Sequence, residues 1–309
     1  MVVNVRPITL DDVRGAARRI HGRVVRTPLL RTVGCPLWIK PESLQPTGAF
    51  KLRGATNAVL RLAGSTRGVV THSSGNHGQA LAYASREAGL PATVVMPVGA
   101  VPAKVEATRA LGAAVHFVPY EQRALATEAL AAEHGLTIVP PYDHPHVIAG
   151  QGTVGLEIVE DLPDVDVVLV PIGGGGLAAG VATAVKALRP AATVIGVEPE
   201  LAADAAESLR RGERVAWDPA TTAQTAADGV RHATVGELTW EHLRLHLDAV
   251  VTVTEEEIVL ATEFLAARYR LVAEPSGALS TAAAVWHGDE LPAGRTVAVL
   301  SGGNAGGTE

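Results

Sequence analysis

The chain has 309 residues, 47 % of them hydrophobic and 19 % charged, so it can bury a sizeable core and is not disordered by composition. A formal net charge of −6 argues against nucleic acid or an anionic membrane as the main partner. The single cysteine, Cys35, excludes an internal disulfide and suits a reducing cytoplasm.

The N-terminal stretch MVVNVRPITLDDVRGAARRI lacks the apolar core of a signal peptide. Asp11 and Asp12 read as charges at a helix N-terminus. Further on, PTGAFKLRGA (residues 46–55) sets a lysine between an aromatic ring and a helix-forming run, behind the turn that Gly48 allows. Lysines usually stay exposed. An amine reacts with an aldehyde only when unprotonated, and burial lowers its pKa, so this setting suits a reactive lysine.

Residues 68–71 predict a strand and 78–88 the helix after it. Between them, Ser73-Ser74-Gly75-Asn76-His77-Gly78 offers two hydroxyls, an amide, an imidazole and backbone donors. Such a loop can grip a carboxylate, and it equally suits an N-cap made by Ser73 or Ser74. Strands at 92–97, 114–118 and 137–139 alternate with helices at 101–111 and 122–134. Among His72, His77, His144 and His146, the H-x-H spacing at 144 and 146 straddles Pro145 with no cysteine near, which matches neither structural nor catalytic zinc.

Residues 167–185, VVLVPIGGGGLAAGVATAV, are long enough to span a membrane, but Pro171 and five glycines interrupt them. A buried strand (165–172), a loop and a helix (177–188) explain the run better. Gly173, Gly174, Gly175 and Gly176 let backbone N–H groups converge at the positive end of that helix, which suits a phosphate. No Gly-Lys-Ser/Thr follows, so this is not a Walker A loop. The dinucleotide fingerprint fits poorly, although Glu198, after the strand at 193–197, sits where a ribose-binding acid would. Glu255, Glu256 and Glu257 read as charges opening the helix at 258–269. A last strand, 296–300, ends at Ser301-Gly302-Gly303-Asn304, where a hydroxyl can bond a ring nitrogen without ionising it.

Short β-rich runs alternating with helices predict an α/β chain with parallel sheets covered on both faces. Three glycine-rich loops fall at carboxyl ends of strands, where open α/β sheets bind ligands.

Taken together, RTPL (26–29), ESLQPTGAFKLRGA, THSSGNHGQALAYA, PPYDHPHVIAGQGTVGLEI, VPIGGGGLAAG, GVEPELAAD, TAADGVR, AEPSGA and LSGGN resemble the fold-type II pyridoxal-phosphate enzymes, in the threonine/serine dehydratase and serine racemase branch. The resemblance covers nearly the whole chain. It implies a two-lobed, tryptophan synthase β-like architecture: a large cofactor-binding domain (1–67 and 144–309) and a small inserted domain (68–143).

It further implies that Lys51 binds pyridoxal 5'-phosphate covalently, with Phe50 against the ring and Asn76 on the ring hydroxyl. Gly173, Gly174, Gly175, Gly176 and Leu177 would hold the phosphate, Gly229 would lie beside the ring, and Ser301 would meet the pyridine nitrogen. Ser73, Ser74, Gly75 and His77 would hold the substrate carboxylate, with Ser74 on the face opposite Lys51. Glu198, the Ala202 carbonyl and Asp204 match a divalent-cation site suited to Mg²⁺ or Ca²⁺, which supersedes the ribose reading of Glu198.

The activity implied is β-elimination of water and ammonia from L-threonine or L-serine, in a cytoplasmic homodimer. Serine racemase with dehydratase side activity and 3-hydroxyaspartate ammonia-lyase are the alternatives. A nicotinamide dehydrogenase leaves Lys51 and SGGN unexplained, and a non-catalytic binder of the same fold is the remaining rival. Ala49 replaces a serine common in relatives. The sequence ends at AGGTE soon after SGGN, so weaker packing behind Ser301 and no isoleucine-type feedback are expected.

Overall fold

Val- and Ile-rich runs alternate with Ala-rich helices along the chain, and the computed structural model, which describes residues 6–31, 34–35 and 37–304, assembles them into two sheets. The expectation about the terminal AGGTE lies outside the described residues. The order begins α1 (Leu10–Ile20), β1 (Leu30–Arg31), β2 (Leu37–Pro41), α2 (Lys51–Leu62). It continues β3 (Val69–His72), α3 (Asn76–Glu87), β4 (Ala92–Pro97), α4 (Pro102–Ala110), β5 (Ala114–Val118), α5 (Arg123–His134), β6 (Thr137–Ile138). Then come α6 (Pro145–Asp161), β7 (Val167–Pro171), α7 (Gly176–Leu188), β8 (Thr193–Pro199), α8 (Asp204–Arg211) and α9 (Pro219–Thr222). The order closes with α10 (Glu237–His246), β9 (Ala249–Val253), α11 (Glu255–Tyr269), α12 (Pro275–Trp286) and β10 (Thr296–Leu300).

The larger sheet runs β1-β2-β10-β7-β8-β9, parallel except for β1, and the smaller runs β5-β4-β3-β6, parallel throughout. Both faces of the larger sheet are covered, as its unbroken apolar strands require. Val168, Val170, Val297 and Val299 pack on one side with residues of α1, α6, α7 and α10. Their neighbours Val167, Leu169, Ala298 and Leu300 pack on the other with α11 and α12. Successive side chains point to opposite faces, so one strand feeds two cores. The smaller sheet shares a core with Leu52, Ala55, Ala58 and Val59 of α2 and with α3, while α5 lies against Val70, Val95 and Val118 on its other face. The uncharged run at 167–185 is indeed a buried strand, a loop and a helix, and no helix of the described residues is long and apolar enough to cross a membrane.

The boundary beside the SSGNHG loop differs from expectation. The helix expected from residue 78 starts at Asn76, and its N-cap is Gly75 with no side-chain cap; neither Ser73 nor Ser74 caps it. The serines are thereby left to face the loop. The acidic clusters behave as expected: α1 and α11 each open on a capping box, made by Thr9 with Asp12 and by Thr254 with Glu257.

Helix α2 is fixed from beneath by an ion network with no solvent exposure of its cations. Arg53 donates to Glu42 at 2.7 and 2.8 Å and to Glu157 at 2.6 and 2.9 Å. Lys40 donates to Glu157 and to the Thr27 carbonyl, both at 2.6 Å. Two cations against two carboxylates leave the buried group neutral, which is the condition for keeping charge in a core.

Candidate active site

Lys51 is the first residue of α2, placed there by a turn in which Gly48 adopts φ +70° and the Gly48 carbonyl accepts from Gly303 N–H at 2.9 Å. A Cβ at Gly48 would meet Asn304 Oδ1 at 2.1 Å, so only glycine fits. The Phe50 N–H donates to the Ser301 carbonyl at 3.0 Å, tying the α2 start to the end of β10. The four lysines of the chain divide sharply. Lys40, Lys104 and Lys186 each pair with a carboxylate, of Glu157, Asp228 and Asp248. The Lys51 amine instead donates to the Pro141 carbonyl at 2.7 Å and stands 5.0 Å from the Phe50 ring centroid.

Lys51 keeps partial solvent access as a residue, but its amine is enclosed. Desolvation pulls its pKa down to about 8, against the opposing pull of the Glu274 carboxylate. The same burial, with the Lys51 charge added, depresses His77 to about 3 and His232 to about 4, so both imidazoles are neutral. His77 Nε2 donates to the Val139 carbonyl at 3.0 Å, and its Nδ1 is buried without a partner among the described residues, as is Nδ1 of His232.

Asn76 opens α3 and faces the same space. Its Nδ2 donates to Glu274 Oε1 at 2.6 Å and its Oδ1 accepts from Asn304 Nδ2 at 2.8 Å, which fixes the orientation of the amide. Burial, reinforced by Asp228, raises Glu274 to about 7 despite the hydrogen bond from Asn76. Gly229 N–H donates to Ser276 Oγ at 2.8 Å, and Ser301 Oγ donates weakly to the Ser276 carbonyl at 3.4 Å.

At the carboxyl end of β7 the glycine loop turns through Gly175 at φ +88° into α7. The N–H groups of Gly173, Gly174 and Gly175 donate to no protein acceptor among the described residues. Side chains could not be added: a Cβ at Gly174 would meet the Tyr142 ring at 2.4 Å, and one at Gly175 would meet Thr239 Oγ1 at 2.8 Å. Three N–H groups without a protein acceptor at a helix N-terminus, with α7 continuing through Leu177, could hold an anion such as a phosphate. Tyr142, which lies over this loop, directly follows the Pro141 that holds the Lys51 amine. In the SSGNHG loop, the Ser73 hydroxyl accepts from Gly75 N–H at 3.3 Å, while Ser74 has no hydrogen bond from its hydroxyl among the described residues.

The structure thus brings Phe50, Lys51, Asn76, His77, Gly229 and Ser301 around one space, next to the glycine loop. Glu198, Ala202 and Asp204 gather elsewhere, where β8 runs into α8. Glu198 accepts from the N–H groups of Ala205 and Ala206 at 3.1 and 2.8 Å, and Asp204 from Val235 N–H at 2.8 Å. Neither acid forms an ion pair among the described residues. Burial raises both pKa values, Asp204 to about 7, and the Asp204 charge pushes Glu198 further up. Four residues at the main site went without a role in the sequence reading: Glu274, Ser276, Asn304 and His232. The first two lie in the AEPSGA stretch and Asn304 in LSGGN, so the motifs held the signal without the contacts. Nothing local marked His232.

A family model described as pyridoxal-phosphate dependent enzyme matches residues 21–302. The L-threo-3-hydroxyaspartate ammonia-lyase of Saccharomyces cerevisiae is 42 % identical over 308 residues, covering 96 % of this chain and 93 % of that protein. The serine racemase of Schizosaccharomyces pombe is 41 % identical over 308 residues, covering 96 % and 94 %. The crystal structure of a threonine deaminase from T.th. superposes with a TM-score of 0.92 at 43 % identity, covering 98 % of this chain and all of that one. With lysine, glycine cradle and terminal serine held in one site, and with matches of this extent, the chain belongs to the family of pyridoxal-phosphate dependent enzymes.

Proposed function

We propose that this enzyme is an ammonia-lyase removing water and ammonia from a β-hydroxy amino acid, L-threonine or L-serine, to give a 2-oxo acid. The observation that carries the reading is the Lys51 amine, enclosed, lowered to about 8 and hydrogen-bonded to a carbonyl rather than a carboxylate. The cradle of unpaired N–H groups at Gly173, Gly174 and Gly175, with Gly176 and Leu177, fits the phosphate of pyridoxal 5'-phosphate, and Asn76, Gly229, Phe50 and Ser301 fit its ring. When bound, that cofactor takes up the negative charge left at the substrate α-carbon.

The chain's own groups do the rest. Ser73, Ser74, Gly75 and His77 orient the substrate carboxylate at the start of α3. Lys51 Nζ holds the cofactor and moves the α-proton. Ser301, a hydroxyl, leaves a ring nitrogen uncharged. The β-hydroxyl departs as water with a proton from the site. The released enamine takes water back, so the net products are ammonia and a 2-oxo acid.

Serine racemase activity is the second reading, supported by the unpartnered Ser74 hydroxyl, because inversion needs an acid on the face opposite Lys51. 3-Hydroxyaspartate carries the same leaving group and is the third substrate. Supplying L-serine and measuring pyruvate against D-serine separates elimination from inversion. The elimination reading requires pyruvate in excess and is lost if D-serine dominates. Lys51→Ala removes both products; an unaffected rate overturns the reading.

The buried, mutually repelling Glu198 and Asp204, with the Ala202 carbonyl, fit a hard divalent cation such as Mg²⁺ or Ca²⁺. Two lobes, 1–67 with 144–309 and 68–143, are supported by the smaller sheet's strands all falling between Val69 and Ile138. A cytoplasmic homodimer completes the proposal.

A further inference from the structure

Away from the Lys51 site, the far end of α2 meets α1 and the start of α6 around a cavity of about 190 Å³, room for roughly six waters. Asn57, 1 % exposed, forms its floor and is held at both ends of its amide. Its Oδ1 accepts from Arg19 Nη1 at 2.6 Å and its Nδ2 donates to the His146 carbonyl at 2.6 Å. Arg19 is thereby fixed through one N–H, with its remaining donors unused among the described residues. Arg61, which lines the cavity, makes no side-chain hydrogen bond or ion pair among the described residues. Arg6 reaches Asp12 only at 3.4 Å. Asp12 lines the cavity and is already committed to the Thr9 N–H and hydroxyl at 2.9 and 3.0 Å. Two guanidinium groups, of Arg6 and Arg61, therefore share the cavity wall with one occupied carboxylate, and the Arg19 charge stands behind Asn57. Burial, then the charges of Arg61, His144 and Arg19, keep the neighbouring His146 neutral at a pKa of about 4.

We infer that this cavity is a binding site for a compact phosphate-type dianion, held by Arg61 and Arg6 over the Asn57 amide that Arg19 orients from behind. Guanidinium donors match phosphate oxygens in geometry as well as charge. The bound anion would bridge the segment leading into α1 and the helix whose other end carries Lys51. The inference stands on the cavity alone and is independent of the reaction proposed above.

Calorimetric titration of the cofactor-loaded protein with inorganic phosphate, at fixed ionic strength and with chloride as control, tests it. Loading fills the glycine cradle, and the variants locate the heat. The expected result is saturable binding, weakened about tenfold or more by Arg61→Gln and by Arg6→Gln, and unchanged by Arg14→Gln, an exposed α1 arginine outside the cavity. The thermal midpoint should rise with phosphate in the wild type and in Arg14→Gln but not in the other two, which keeps the test valid if a variant is less stable. Stronger binding of glycerol 2-phosphate than of phosphate assigns the site to a monoester, and the reverse assigns it to the free ion. Equal binding in all four chains, equal loss in all three variants, or no saturable heat overturns the proposal.

Discussion

At the scale of the residue, Lys51 differs from the other lysines in what it lacks. Without a carboxylate partner at hydrogen-bond distance, desolvation is offset only by the more distant Glu274 charge, and the amine settles near pH 8. Acylation of Lys51 in the cofactor-free protein should rise with pH through a midpoint of about 8, well below that of an ordinary lysine. Glu274→Gln removes the opposing charge and should move the midpoint lower still; peptide-resolved labelling reads both, and an upward move contradicts the assignment. PTGAFKLRGA made the lysine legible because turn, ring and helix start are adjacent in sequence. Glu274 and Asn304 were not legible as its neighbours, since α12 and the end of β10 reach the site only through sheet order.

At the scale of the element, α6 carries Gly150, Gly152 and Gly155, a composition that argues against a helix, and no helix was expected there. Packing overrides propensity. A Cβ on Gly150 would stand 2.6 Å from the Gly54 Cα of α2, and one on Gly152 would stand 2.9 Å from the Gly180 carbonyl oxygen of α7. The glycines let three helices approach at backbone distance, and that approach sets α2 under the site. Gly150→Ala should therefore destabilise by about 1–3 kcal/mol or more through overpacking. Gly15→Ala, in α1, where a Cβ would meet nothing nearer than the Arg18 guanidinium at 3.9 Å, should stabilise by about 0.5–1 kcal/mol. Urea melts of the pair check the contrast, and equal effects would contradict it. Elements with plain signals fared better: the strands at 92–97, 114–118 and 296–300 match residue for residue, because their apolar runs are bounded by glycine and proline.

At the scale of the molecule, the last strand, β10, lies between β2 and β7, a non-local pairing that no local pattern announces. The buried Arg53 network fastens this centre to α2 and α6. Arg53→Leu leaves Glu42 and Glu157 buried with one cation between them, and should cost about 3–5 kcal/mol in a denaturant melt.

The pH dependence has two opposed parts. His77, His232 and His242 fold with pKa values below the ordinary histidine value, so stability falls as pH drops from about 6.5 toward 4. Glu198, Asp204 and Glu274 fold with raised pKa values, so stability rises as pH drops from about 7 toward the ordinary carboxylate range. With His146 also held at about 4, the depressed histidines outnumber the three raised carboxyls, so the loss prevails between about pH 6.5 and 4.5. Below that the histidine loss continues, and Glu42, whose pKa the Arg53 contact holds down against burial, begins to lose its ion pairs. Stability should thus decline progressively as pH drops below about 6.5. A cation at Glu198 and Asp204 competes with protons, so Mg²⁺ should raise the thermal midpoint more at pH 8 than at pH 5. An equal rise at both pH values would count against that site.

The central claim is that one lysine, and no other, carries the cofactor. Borohydride treatment of the cofactor-loaded protein followed by peptide mass mapping tests it directly, because the chain offers three competing lysines. The added mass should lie on Lys51 alone. Finding it on Lys40, Lys104 or Lys186, or on none, would contradict the account.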